Sequence, residues 1–203
     1  PPNYDCHANT SFAFVHPVAP HYSTLRKFDG PAYPKIIGDL AEKWTVSPDG
    51  KTITFRLRKG VVWHDGAPFT AEDCLFTYQK LTDPKVATPY SSSYMDVAKA
   101  DVVDRLTFRV TYKEPFSPAL ESWSMGIIPR HLLEGKDLNT SGFNRTPVGT
   151  GPYKLKEWIA GQKIVLEAND RYFEGRPKID HYIYRIIPDS STMFQELLSG
   201  GVD

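Results

Sequence analysis

The side chains with the widest chemical reach are six histidines, His7, His16, His21, His64, His131 and His181, and two cysteines, Cys6 and Cys74. Metal chemistry would need them at ligand spacing. No pair of histidines stands as HxxxH or HExxH, so no two imidazoles share a helix face. The cysteines form neither a disulfide framework nor a zinc spacing. No metal site and no cofactor is therefore expected, and His64, inside the Trp63–Asp65 turn, reads as a structural hydrogen-bonding group. Cys74 falls on a predicted helix where a small apolar residue packs. Whether it pairs with Cys6 depends on a Cα separation that sequence does not fix. Nucleophilic catalysis finds no support either. There is no GxSxG, no SxxK and no local Cys-His signature, and Ser23-Thr24 and Ser91-Ser92-Ser93 have no recognisable base. Asp49 and Asp65 sit in turns, where a carboxylate bonds its own backbone. Gly149-Thr150-Gly151 could suggest a phosphate cradle, but no lysine follows at P-loop spacing and no GxGxxG opens a helix. The run reads as the start of a strand. An enzyme is not expected.

The elements behind these residues are short and well punctuated. Seventeen prolines and fourteen glycines mark many turns. Ser47-Pro48-Asp49-Gly50 is a hairpin turn. After it Ile53, Phe55 and Leu57 alternate with Thr54, Arg56 and Arg58, which predicts a strand with one buried face. Asp65-Gly66 is a second turn. Thr70 caps a helix whose first turn carries Glu72 and Asp73, which suit the helix dipole. Leu75, Tyr78 and Leu81 give that helix its inner face, and Asp83-Pro84 stops it. A hairpin is expected over residues 102–112, with short helices over 117–123 and 130–134. Further on, Tyr153, Leu155 and Trp158 belong to one strand, Ile164, Leu166 and Ala168 to a second, and Tyr182, Tyr184 and Ile186 to a third. The three should lie in one sheet. Residues 190–199 should form a helix packed on that sheet through Phe194 and Leu197, with Met193 and Leu198 beside them.

Composition narrows the class. The chain has 203 residues, and its 24 basic and 24 acidic side chains leave a formal charge of zero. Nothing favours a nucleic-acid partner or an anionic membrane surface. No run reaches the roughly 18 apolar residues that span a bilayer. Aromatic residues make up 13%, read either as core or as stacking surfaces around a small ligand. The sequons at Asn9, Asn139 and Asn144 would matter only in a eukaryotic secreted protein.

Taken in order, several stretches resemble the family 5 extracellular solute-binding proteins, the receptors of oligopeptide, dipeptide and nickel ABC transporters. They begin with Leu40-Ala41-Glu42-Lys43-Trp44, the turn Ser47-Pro48-Asp49-Gly50-Lys51, and Phe55-Arg56-Leu57-Arg58-Lys59-Gly60. Trp63-His64-Asp65-Gly66 and Thr70-Ala71-Glu72-Asp73 follow. Gly149-Thr150-Gly151-Pro152-Tyr153-Lys154-Leu155, Asn169-Asp170-Arg171-Tyr172-Phe173, Ile186-Ile187-Pro188-Asp189 and the terminal Gly200-Gly201-Val202-Asp203 complete the series. Each is weak alone, and together they cover most of the chain. Cys74 departs from the aliphatic residue usual in the family, at no cost to the fold.

The resemblance implies an α/β fold with mixed sheets, the first lobe of a two-lobed periplasmic binding protein. Residues 1–43 and 147–203 would form one part of that lobe and residues 44–146 an inserted subdomain. The second lobe would follow beyond Asp203. The implied activity is capture of a peptide or other small solute for import, in the periplasm or outside the cell, by a monomer that meets an ABC permease. A lipid anchor on the full-length protein is compatible with this. The ligand surface implied comprises Tyr22, Ser23, Thr24 and Leu25 before the signature hairpin, Tyr90 and Ser91 after the helix, and Trp123 and Met125 before Pro129. The backbone of Ser23 and Thr24 would pair with an extended ligand. The alternative for Tyr22 and Trp123 is a place in the core. The alternatives are a self-contained ligand-binding module and, third, a secreted hydrolase.

Overall fold

The structure, a computed structural model, describes residues 4–8 and 11–203. After a turn at residues 5–8, α1 (Phe12–Val18) leads into two short antiparallel strands, β1 (Arg26–Phe28) and β2 (Ile36–Gly38). Next come β3 (Ala41–Val46), β4 (Thr52–Leu57), α2 (Ala71–Thr82), β5 (Val97–Asp104) and β6 (Thr107–Tyr112). Two single-turn helices follow, α3 (Ala119–Ser122) and α4 (Arg130–Leu133). The chain then makes β7 (Tyr153–Ile159), β8 (Lys163–Ala168), β9 (His181–Arg185) and α5 (Ser190–Leu198). Strands β3 to β6 form an antiparallel sheet in the order β3-β4-β6-β5, and β7-β8-β9 form another. No helix is long and apolar enough to cross a membrane among the described residues.

Local chemistry accounts for these elements. Gly50 closes the β3–β4 hairpin at φ +71°, where glycine meets no steric penalty. The alternation on β4 is as expected: Ile53, Phe55 and Leu57 are buried and the residues between them half-buried. They face Phe108 and Val110 of β6 in the antiparallel register. At the start of α2 the capping contact is Asp73's: its Oδ2 accepts the Thr70 N–H at 2.9 Å, and its Oδ1 accepts the Arg130 N–H at 3.0 Å. One carboxylate thus caps α2 and fastens α4 to it. On β7 a bulge between Leu155 and Glu157 shifts the register against β8, which brings Trp158 opposite Ile164.

Two hydrophobic clusters result. The larger gathers the β3–β6 sheet, α2, Trp63 and Trp123. The smaller joins Tyr4, Val18 and Tyr22 to Phe76, Ile128, Leu133, Ile164 and Leu166. Cys74 is buried in the larger cluster, and both cysteines are free thiols.

The α5 expectation needs correction. The helix forms, but Phe194 is 57% and Leu197 53% exposed, and Met193 and Leu198 are exposed too. Neither Phe194 nor Leu197 packs down on the sheet. What ties α5 to β9 is polar: Arg185 Nη1 lies 2.8 Å from Glu196 Oε2. Helical spacing identifies an apolar stripe but does not say what the stripe touches. β1 and β2 carry no mark in the sequence, because three residues are too few for alternation to register.

Candidate functional site

A depression of about 220 Å³ draws its walls from four separate stretches of chain. Val15, Val18 and Ala19 come from α1 and its end, and Tyr22 and Thr24 from the segment before β1. Tyr90 follows α2, Ser124, Met125 and Gly126 follow α3, and Cys6 closes one side. Four other hollows are larger: those of about 530 and 710 Å³ are each lined by one local stretch, residues 132–146 and residues 179–203, and those of about 500 and 310 Å³ by two stretches each, residues 145–148 with 155–158 and residues 67–73 with 130–134. The 220 Å³ depression differs from all four in joining more stretches of chain on a mainly apolar lining with few polar groups, the character of a small-molecule site.

Gly126 makes this convergence possible. A Cβ there would sit 2.9 Å from Cys6 Sγ and 3.0 Å from Tyr22 Cβ. The bare backbone lets three segments close up, with Gly126 bridged antiparallel to Thr24. Tyr22 is held by its hydroxyl, which donates to the Tyr4 carbonyl at 2.9 Å. Burial pushes its phenol far above the usual range, so it stays a neutral donor. Tyr90 is half-buried, its N–H on Thr88 Oγ1 at 3.3 Å, and that hydroxyl donates to the His7 carbonyl at 2.9 Å.

Of the residues read from the sequence, Tyr22, Thr24, Tyr90 and Met125 meet on this one wall. The others do not. Ser23 and Leu25 are buried beneath it, and Ser91 is exposed on the adjacent 3-10 turn. Trp123 is a core residue: it is 3% exposed, its Nε1 donates to the Tyr112 hydroxyl at 2.9 Å, and Tyr94 and Phe108 pack edge-on to its ring. The proposed backbone pairing also needs correction. The Ser23 carbonyl accepts from Ile127 N–H at 3.0 Å, and the Thr24 carbonyl from Leu40 N–H at 2.9 Å. The Thr24 N–H is bound by Asp39 Oδ2 at 2.8 Å. The Ser23 carbonyl ties this segment to residue 127 and the two Thr24 groups tie it to residues 39–40, so an extended ligand finds these three groups already paired.

Asp39 is itself buried, which raises its carboxyl above the ordinary range, and Lys27 Nζ approaches its other oxygen at 3.3 Å. Lys27 also reaches Glu174 at 2.6 Å. This cluster braces the back of the wall.

His64 is structural, as its turn suggested. Its Nδ1 accepts the Gly149 N–H at 3.1 Å, which leaves Nε2 to donate to the Gly151 carbonyl at 3.0 Å. Burial lowers its pKa to about 4, so the ring is neutral. The two glycines are no phosphate cradle: a Cβ at Gly149 would lie only 1.9 Å from the His21 carbonyl oxygen, and one at Gly151 2.5 Å from that of Pro20. Their absent side chains admit the backbone of residues 20–21.

Sequence spacing missed one cluster. Asp5, Cys6 and His7 place one donor atom each within 4.8 Å of one another. Three consecutive residues do not register as a ligand pattern when helical or CxxC spacing is sought. Only the tight turn, with Ala8 N–H on the Asp5 carbonyl at 3.1 Å, brings them together.

The sequence model described as bacterial extracellular solute-binding proteins, family 5, middle, matches residues 35–203. The chain is 36% identical over 190 residues to the oligopeptide-binding protein AppA of Bacillus subtilis, covering 90% of this chain and 34% of that one. The solved structure of AppA with a nonapeptide superposes with a TM-score of 0.92 at 32% identity, over 100% of this chain and 41% of that one. NikZ from Campylobacter jejuni, solved in complex with Ni(L-His), gives 0.92 at 31% identity, over 99% and 40%. The glutathione-binding protein GsiB of Salmonella paratyphi A is 36% identical over 172 residues, 82% of this chain and 33% of that one. The chain thus spans about a third of the length of these curated relatives.

Proposed function

The chain belongs to the family 5 bacterial extracellular solute-binding proteins, and on that premise we propose that it forms part of the first lobe of a receptor that captures a peptide outside the inner membrane for an ABC permease. Members of this family are transport receptors and not enzymes. Binding in such a receptor draws two lobes together, and the closed form is what a permease recognises. The observation that carries the reading is the wall of Tyr22, Thr24, Tyr90, Met125 and Gly126. Two aromatic faces and a thioether suit varied side chains, because methionine repacks and a tyrosine ring offers an apolar face with a polar edge. The relatives suggest as candidate solutes peptides, as for AppA, glutathione, as for GsiB, and a nickel–histidine complex, as for NikZ.

The division into residues 1–43 with 147–203, and 44–146 inserted, belongs to the same proposal. It is supported by the separate β3–β6 and β7–β9 sheets. Supporting it too, the Gly151 N–H bonds the His21 carbonyl at 3.0 Å, and the Tyr184 hydroxyl bonds that of His16 at 2.8 Å.

Calorimetry on a full-length receptor containing this chain, titrated with short peptides, tests the reading. Submillimolar binding weakened by Tyr90→Ala is expected. Residues 1–203 alone should bind the same peptides with Kd on the order of millimolar or weaker, about −4 kcal/mol or less, because one wall leaves the ligand in water. Micromolar binding by the 203 residues would favour a self-contained binding module.

A further inference from the structure

We propose that the depression is a subsite for one uncharged, apolar side chain of the solute, a group of the leucine, methionine or phenylalanine kind. That the side chain belongs to a peptide rests on the receptor reading; that it is apolar rests on the depression alone.

The first observation is where the polar atoms of the lining point. The Tyr22 hydroxyl donates to the Tyr4 carbonyl at 2.9 Å, the Thr24 hydroxyl to the Arg26 carbonyl at 2.6 Å, and the Ser124 hydroxyl to the Glu121 carbonyl at 2.7 Å. The Cys6 thiol points at the Gly126 carbonyl, 3.7 Å away. A hydroxyl has one hydrogen to give, and here each is held by the protein's own backbone. A carboxylate entering the depression finds no donor among these four groups. Thr24 is turned further, because its Oγ1 also lies 3.3 Å from Asp39 Oδ2. Its methyl is what remains for the solute.

The second observation is the rest of the lining. Val15, Val18, Ala19 and Met125 supply hydrocarbon and a thioether, and no lysine, arginine, aspartate or glutamate lines the depression among the described residues. Each of the four larger hollows, by contrast, is lined in part by charged side chains. The charges close to this wall are engaged behind it. Asp39 takes the Thr24 N–H at 2.8 Å and faces Lys27 at 3.3 Å, and buried Asp5 accepts the His7 N–H at 2.9 Å. An ionised side chain would therefore give up its water and gain no counter-charge. An aliphatic or thioether group gives up only apolar hydration, which is favourable.

Size agrees with one side chain. The volume of about 220 Å³ lies below the roughly 300–1,000 Å³ of a pocket that encloses a whole small ligand. Met125 can repack around different occupants, so the accepted side chains vary in shape but not in polarity.

The test begins with the 203-residue chain carrying carbon-13 in its valine and methionine methyl groups. The amides of N-acetyl-leucine, N-acetyl-glutamate and N-acetyl-lysine are titrated at equal concentrations up to the solubility limit and followed by NMR. The leucine amide should shift the methyl signals of Val15, Val18 and Met125, with an affinity at least about tenfold above either charged amide. Val15→Lys changes an exposed position and should make the glutamate amide the better ligand; should that variant fail to fold, the unaltered chain decides. In a full-length receptor containing this chain, calorimetry follows with alanine pentapeptides carrying one leucine, glutamate or lysine at each position in turn. One position should favour leucine by at least about tenfold. Methyl shifts from the leucine amide without any peptide binding would uphold the apolar subsite and refute the peptide reading. Peptide binding with no such position refutes the subsite and leaves the peptide reading standing. Equal shifts from the three amides, larger shifts from a charged one, or none at these methyl groups also overturn the proposal.

Discussion

Trp123→Ala measures whether this indole belongs to the core or to the ligand. Its ring is 3% exposed and packs among Phe55, Tyr78, Tyr94 and Phe108, with centroids 5.2 to 6.1 Å away. Truncating a buried tryptophan costs about 3–5 kcal/mol from lost transfer energy and the cavity left behind. The Tyr112 hydroxyl also loses its indole donor and keeps only a long bond, 3.4 Å, to the Ala119 carbonyl. A loss of about 4 kcal/mol in a chain of this size lowers Tm by about 8–16 °C, at 2–4 °C per kcal/mol. Trp123→Phe keeps most of the ring and forfeits the Nε1 bond, so about 1–2 kcal/mol is expected. Urea unfolding of the 203-residue chain, followed by circular dichroism, measures both. If Trp123→Ala costs under about 1 kcal/mol while a full-length receptor loses its solute, the core assignment is refuted.

Tyr90→Ala should behave in the opposite way, costing about 1–3 kcal/mol of solute affinity in a full-length receptor and little Tm; unchanged affinity with a collapsed Tm would remove it from the wall. Gly149→Ala should largely abolish folded protein, since its Cβ would meet the His21 backbone oxygen at 1.9 Å; soluble expression with an unchanged melt would contradict that packing. For His64, the folded pKa of about 4 lies below the ordinary 6.5. The neutral ring therefore contributes stability above pH 6.5, and this is lost as pH falls towards 4. From pH 7 to 4.5 the loss should be about 2 kcal/mol, read as a shift in urea midpoint that His64→Gln flattens. A His64→Gln chain with the same pH slope would show that another group is responsible.

The sequence made most of the elements legible. Alternation found β4 and β8, capping and a proline stop found α2, and glycine turns found the hairpins. These signals are local, and the structure keeps them because tertiary packing agrees with local preference. What was not legible depends on pairs of residues far apart. Nothing near Trp123 says that Tyr112 will take its indole hydrogen, and nothing near Thr24 says that Asp39 and Leu40 will occupy its backbone. The resemblance supplied the neighbourhood of the candidate wall, yet only Tyr22, Thr24, Tyr90 and Met125 reach it. The difference between Ser23 and Thr24 is the side of one short extended segment that each faces. The Asp5–Cys6–His7 group was missed for another reason: a turn replaces the spacing by which ligands are usually noticed.

The stitching of the first residues to distant ones also dictates the order in which the molecule can assemble. His7 reaches Gly126, 119 positions ahead, Gly151 closes on His21, and the Tyr184 hydroxyl reaches back 168 positions to His16. A chain emerging from the ribosome can build the β3–α2–β6 region from neighbours already made. His7, by contrast, has no Gly126 carbonyl to settle on until 119 more residues have appeared. Loop closure over such separations is entropically slow. The wall that would meet the solute thus cannot close before Gly126 has been made. Its earliest-made side chains wait in solvent meanwhile, open to whatever holds unfolded chains.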